Sequence, residues 1–298
     1  MPYLERVYRL PAGNEDLLVA ELFLLGASGF QSTDPDPDGD IELTAFFEDG
    51  EPPEIGDETA AALEVELLGG EAIPERDWLT EYRALARPIE VGERFVCDPR
   101  DVDDPAVESD PPATGGRILL HIPAQTAFGT GSHESTRLAI ELLEDEAAAG
   151  RLAGRRVLDV GTGSGILCFV AEKLGAGFAA GYDIDAPAVC IAHLNAKLNG
   201  CRGRLFAADA AALAPSPTFD LLLVNELPER ILGEYPPILA CLKEGGRVIS
   251  SGNLLARKDE LLASFAALGL APAGERQAGE WIGFTFQKQN VPPVQTAG

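Results

Sequence analysis

The sequence predicts an α/β protein in which a mostly parallel sheet carries helices on both faces and a small α+β domain comes first. Three observations carry this prediction. From Arg156 onward, short apolar runs rich in β-branched residues alternate with helical stretches, as βαβ units do. Between the first such strand and its helix lies Asp159-Val-Gly-Thr-Gly-Ser-Gly165, where Gly161, Gly163 and Gly165 allow a tight turn and a close approach of ligand to backbone. Residues 1–76, in contrast, alternate strand and helix signals on a smaller scale.

In chain order, Leu4–Leu10 reads as a strand and Asn14–Leu25 as a helix closed by Gly26. That helix has Asn14 as cap, acidic Glu15 and Asp16 in its first turn, and an apolar face that includes Leu18 and Leu22. Ile41–Phe47 starts with period two, and Asp57–Leu68 reads as a second helix. Split βαβ units of ferredoxin-like type are the expected architecture of 1–76. Residues 77–116 read as a connection. Trp78 and Tyr82 share one face of a packing helix, and Asp98–Gly116, rich in proline and acid, reads as a solvated linker. The second domain, 117–298, opens with a strand at Arg117–Ile122, a glycine-bracketed loop around Gly129 and Gly131, and a helix from His133 to Glu146. Its remaining strands fall at Val157–Val160, Phe178–Tyr182, Arg204–Ala207, Phe219–Val224, Arg247–Ser250, Ala271–Arg276 and Trp281–Gln287.

Composition narrows the function. With a formal net charge of -25, a nucleic-acid partner is disfavoured and a basic partner favoured. The five cysteines are scattered without a C-x-x-C pair and only three histidines are present, so neither a disulfide framework nor a metal site is expected. No long apolar run is available to span a membrane, and Met1-Pro-Tyr-Leu-Glu-Arg6 does not open like a secretory signal, so the expected location is cytoplasmic.

In a sheet of this kind the ligand sits beyond the carboxyl ends of the strands. Four of those ends are polar: Asp159 with its glycine loop, Asp183, Asp209 and Asn225. Asp183 is placed to accept the hydroxyls of a ribose and Asp209 to meet an adenine amino group, which Asp183 alone would allow for NAD as well as S-adenosylmethionine. Ile166 stands where the dinucleotide fingerprint needs its third glycine, and Asp159 suits a ligand with a cationic group; both favour S-adenosylmethionine.

Several stretches resemble the ribosomal protein L-eleven methyltransferase family (PrmA). They are Ala127-Phe-Gly-Thr-Gly-Ser-His-Glu-Ser-Thr-Arg-Leu138, Val157-Leu-Asp-Val-Gly-Thr-Gly-Ser-Gly-Ile-Leu167, Tyr182-Asp-Ile-Asp185, Asn195-Ala-Lys-Leu-Asn-Gly200 and Phe219-Asp-Leu-Leu-Leu-Val-Asn225. The resemblance implies a class I Rossmann-like methyltransferase domain with a seven-stranded sheet, joined to a ferredoxin-like domain that recognises a protein substrate. It also implies methylation of amino groups, on lysine side chains and N-termini, of a basic ribosomal protein. Thr136, Gly161, Asp183 and Asn225 would contact the cofactor, with Phe128 and Thr130 near the methyl donor and Glu134 or Glu226 as candidate bases. After Asn225 the family usually has an apolar residue, whereas this chain has Glu226-Leu-Pro-Glu229, an acidic pair expected at the mouth of the site and suited to attracting an amine. The rival readings are a methyltransferase acting on another protein or a small molecule, an NAD-linked oxidoreductase, and a binding protein that has lost turnover.

Overall fold

The computed structural model describes residues 3–48, 55–70, 72–73, 86–103, 107, 111–125 and 129–289. The chain forms two compact units, 1–78 and 79–298.

The first unit runs β1 (Tyr3–Pro11), α1 (Glu15–Leu24), β2 (Ala27–Ser32), β3 (Asp40–Glu48), α2 (Asp57–Ala62), β4 (Glu66–Gly69) and β5 (Ala72–Ile73). Its sheet has the order β2-β3-β1-β4, with every pairing antiparallel. Along β3, Ile41, Leu43, Ala45 and Phe47 point inward at every second residue and meet Leu18 and Leu22, one turn apart on α1. Asn14 stands at the cap position without capping; its amide donates instead to the Leu63 carbonyl, 3.0 Å away. The expected helix to Leu68 stops at Ala62. Glu64 takes a positive φ of 54°, which ends the helix, and the following residues pair as a strand with β1. The expected packing residues Trp78 and Tyr82 lie outside the described residues.

The second unit begins with a three-stranded sheet of β6 (Ile89–Val91), β7 (Phe95–Asp98) and β8 (Ile118–His121). The first two of these strands fall in the stretch expected as connection, yet Val91, Phe95 and Cys97 are core residues of this unit. The Glu144 carboxylate fastens their turn by accepting the Glu93 and Arg94 backbone N–H groups, each at 2.8 Å. Asp98, expected as the start of a solvated linker, is fully buried and bidentately paired with Arg100.

Then come α3 (Glu134–Ala148), β9 (Arg156–Val160), α4 (Ile166–Lys173), β10 (Phe178–Asp183), α5 (Ala186–Leu198), β11 (Arg204–Ala207) and β12 (Phe219–Asn225). The unit closes with α6 (Pro228–Ile231), α7 (Tyr235–Ala240), β13 (Leu242–Leu254), α8 (Lys258–Ala267), β14 (Leu270–Ala278) and β15 (Trp281–Lys288). The strands form one seven-stranded sheet in the order β11-β10-β9-β12-β13-β15-β14. Strands β9 to β13 are parallel, and β14 and β15 are antiparallel.

Both faces of this sheet are covered, which explains why its central strands are continuously apolar. Val157, Leu221 and Leu223 face a core shared with α3 and α4, while Leu158, Leu222 and Val224 face the core built on Tyr235, Phe265 and Phe284. From β9 the order runs outward through β10 to one edge and through β12 to the other, so the topological switch point lies between β9 and β12. A crevice opens at that point, outside the carboxyl ends of the strands. Among the described residues no helix is long and apolar enough to cross a membrane.

Candidate active site

The crevice is floored by the loop from β9 to α4. Gly161, Gly163 and Gly165 have φ of 65°, 51° and 85°. At Gly165 the requirement is strict, because a β-carbon there would also stand 2.5 Å from Cζ of Phe169.

Asp159 was expected to face the cofactor, but it lines no part of the crevice. It shares the face of β9 with Val157, under the start of α4, and is 1% exposed. There its carboxyl accepts the Thr162 hydroxyl at 2.6 Å and the backbone N–H of Cys168, so it fixes the loop from beneath. Burial pushes this carboxyl up to about 7, against the Thr162 hydrogen bond and with help from the nearby Asp183 charge.

Two adjoining cavities, of about 550 and 500 Å³, make up the crevice. Both are lined by Gly161, Asp183, Ile184, Glu226 and Arg230. Asp183, at the end of β10, accepts the Gly163 N–H at 2.9 Å and the Asp185 N–H at 3.0 Å, which ties it to the glycine loop. Ile184 is 80% exposed, an apolar surface held out beside that carboxylate. Asp209 lines the second cavity and also caps the turn after β11 by accepting the Ala212 N–H at 3.0 Å. The lining is strongly anionic: Asp183, Asp185 and Glu226 against Arg230 in the first cavity, and Asp183, Asp209, Glu226 and Glu234 against Arg230 in the second.

The far wall of the first cavity is Asn225, His133 and Trp281. The Asn225 amide donates to Oγ1 of Thr136 at 3.3 Å, leaving its Oδ1 buried without a partner among the described residues. Thr136 itself is fully buried, so its part is to hold Asn225 in place. His133 caps α3 by accepting the Ser135 N–H, and its ring meets the Trp281 indole edge-on at 4.8 Å.

Of the residues expected from sequence, the structure therefore gathers Gly161, Gly163, Asp183, Asp209 and Asn225 on the cavity walls. Thr136, Asp159 and Gly165 support them from behind. Thr130, hydrogen-bonded to Ser132, and the exposed Glu134 line neither cavity. Phe128 lies outside the described residues. Glu226 is on the cavity wall; Glu229 follows in α6, with its side chain outside those described. Sequence reasoning missed His133, Ile184 and Trp281. An apolar residue directly after the acid that ends β10 was a usable signal for Ile184, whereas His133 and Trp281 meet only through the tertiary fold.

A glycine loop, acidic strand ends and an asparagine at the switch point of a sheet closed by an antiparallel strand pair define the α/β methyltransferase fold. Within that class, the chain belongs to the ribosomal protein L11 methyltransferase (PrmA) family, which matches residues 31–289. It is 33% identical to a ribosomal protein L11 methyltransferase of Sorangium cellulosum, covering 93% of each chain. With that of Ralstonia pickettii the identity is 34%, covering 90% of this chain and 93% of the relative. Among solved structures, a ribosomal protein L11 methylase from Lactobacillus delbrueckii subsp. bulgaricus superimposes with a TM-score of 0.58 at 28% identity, over 68% of this chain and all of that one.

Proposed function

We propose that this chain transfers methyl groups from S-adenosylmethionine to protein amino groups, on lysine side chains and at N-termini, and that its substrate is a basic ribosomal protein of the large subunit. The observation that carries the reading is Asn225. Asn225 lines a cavity in which carboxylates outnumber the one arginine, and its Oδ1 is buried without a partner among the described residues, so an amine N–H is a donor that would complete it.

The crevice fits the cofactor. Asp183 and Ile184 offer a carboxylate for ribose hydroxyls and an apolar surface for the face of a base, and Gly161 and Gly163 bring bare backbone to the cavity wall. The surplus of carboxylates suits a ligand with a net positive charge and opposes the pyrophosphate of a dinucleotide. When bound, S-adenosylmethionine supplies a methyl group activated by the positive charge of its sulfonium.

The residues of the chain then have defined tasks. Asn225 Oδ1 accepts one N–H of the incoming amine and turns its lone pair along the transfer axis, and Thr136 keeps the asparagine from rotating. His133 and Trp281 wall the cavity where the apolar stem of a lysine passes, which excludes water. Burial in that passage favours the neutral amine. Held in line by Asn225, the amine nitrogen would take the methyl group that the bound cofactor supplies and then give up its extra proton to solvent.

The order β2-β3-β1-β4 supports a ferredoxin-like fold for the first unit, which we assign to substrate recognition, with residues 77–116 containing the connection. The net charge of -25 supports a basic protein partner rather than direct contact with nucleic acid or an anionic membrane.

The test is tritiated methyl transfer into large-subunit ribosomal proteins, followed by mass mapping, for wild type and Asn225→Ala. Wild type is expected to label lysine or N-terminal amines. The variant should lose turnover on the order of 100-fold while its calorimetric cofactor affinity holds within about threefold. Equal losses in turnover and affinity would make Asn225 structural; cofactor binding without transfer to any basic protein would refute the enzyme reading.

A further inference from the structure

Glu226, expected at the mouth of the site, stands on the wall common to both cavities. Its backbone is fixed by Gly252, which has φ of 81° and lies so close that a β-carbon there would meet the Glu226 carbonyl oxygen at 3.0 Å. Its side chain is turned back as well. Oε1 accepts the Leu227 N–H at 2.9 Å, while Oε2 comes within 4.0 Å of the place a β-carbon on Gly161 would occupy. The carboxylate thus faces the glycine loop at the junction of the two cavities. Among the described residues no ion pair involves it, although Arg230 lines the same walls.

On the functional reading above, the nucleoside end of the ligand belongs with Asp183, Ile184 and Asp209, and the methyl group must face Asn225. The group that joins those two ends is the sulfonium. It is a fixed positive charge in S-adenosylmethionine and a neutral thioether in S-adenosylhomocysteine, which otherwise has the same atoms apart from the methyl group. We propose that Glu226 is a specificity-determining residue whose carboxylate recognises the sulfonium charge, so that the site holds the loaded cofactor and releases the spent one. Glu226 is half-buried, and a carboxylate partly shielded from water attracts a cation more strongly than one in bulk water.

The test is calorimetric titration of wild type and Glu226→Gln with each ligand. Glutamine keeps the shape and an acceptor for the Leu227 N–H, so the fold is retained, and a melting curve for each protein checks this. The variant is expected to bind S-adenosylmethionine about tenfold more weakly and S-adenosylhomocysteine within about twofold of wild type. In wild type alone, rising salt should narrow the preference for the charged ligand. An equal change for both ligands would overturn the assignment, because it would place Glu226 on the part they share; so would no change for either. A wild-type protein that binds neither ligand would overturn the functional reading and this assignment with it, and that result is visible before any variant is made.

Discussion

Replacing Asp159 by asparagine separates the buried charge from the loop it supports. In the folded chain burial pushes the Asp159 carboxyl up to about 7 from an ordinary value of 3.8, with the Thr162 hydroxyl opposing and Asp183 adding to the rise. Between those two values the native state binds a proton that the unfolded chain has already lost. The stability this group contributes is therefore complete below about 3.8 and gone above about 7, so raising the pH through that window weakens the fold. Integrating the linkage relation gives a loss of about 2.5 kcal/mol from roughly pH 5 to pH 8. For a unit of this size that is on the order of 5 to 10 °C in Tm. Asparagine cannot ionise, and its one oxygen still accepts from Thr162 or Cys168. The variant is expected to be the less stable protein at acid pH, to vary little across the window, and to approach wild type at its alkaline end. Calorimetric melts of both proteins over that range give the comparison. Parallel pH profiles would refute the argument, because they would mean that Asp159 titrates alike in the folded and unfolded chains.

Asp183→Ala removes the acceptor for both Gly163 N–H and Asp185 N–H as well as the proposed ribose contact, and should weaken S-adenosylhomocysteine binding by about 2 to 4 kcal/mol in calorimetry; unchanged affinity would take Asp183 off the ribose. Gly165→Ala forces a left-handed φ of 85° on a residue whose β-carbon meets the Phe169 ring, and should lower the free energy of unfolding in urea by about 2 to 4 kcal/mol. A shift of less than about 0.5 kcal/mol would mean that the ring yields without cost.

What could be read in the sequence was chemistry set by local order. A buried strand followed by a glycine loop must turn where it ends, and a polar residue that closes a parallel strand must stand at the sheet's carboxyl edge. Gly161, Asp183, Asp209 and Asn225 reached the crevice for that reason. Side-chain direction was less legible. Asp159 was read as a strand-end residue, yet the alternation along β9 turns it inward with Val157. The pair β6 and β7 was hidden in a stretch whose polar residues are paired internally: Asp98 reads as linker until Arg100 folds back on it. On β4, Leu67 and Leu68 are 48% and 46% exposed, so a strand at the sheet edge gave no period to distinguish it from the end of a helix.

The loop around Gly129 and Gly131 is held by contacts that no single segment contains. The Ser164 hydroxyl, in the glycine loop, donates to the Gly129 carbonyl at 2.5 Å, and the Ser164 carbonyl accepts from buried Asn195 on α5 at 3.0 Å. Gly131, with φ of 91°, lies against Cys97 of β7, so the unforeseen strand pair is the floor on which this loop rests. At its other end the Ser251 hydroxyl of β13 donates to the Ser135 carbonyl at 2.7 Å, next to the threonine that holds Asn225. The glycine loop and the asparagine at the end of β12 thus each hold one end of the segment 129–136 by a side-chain hydrogen bond.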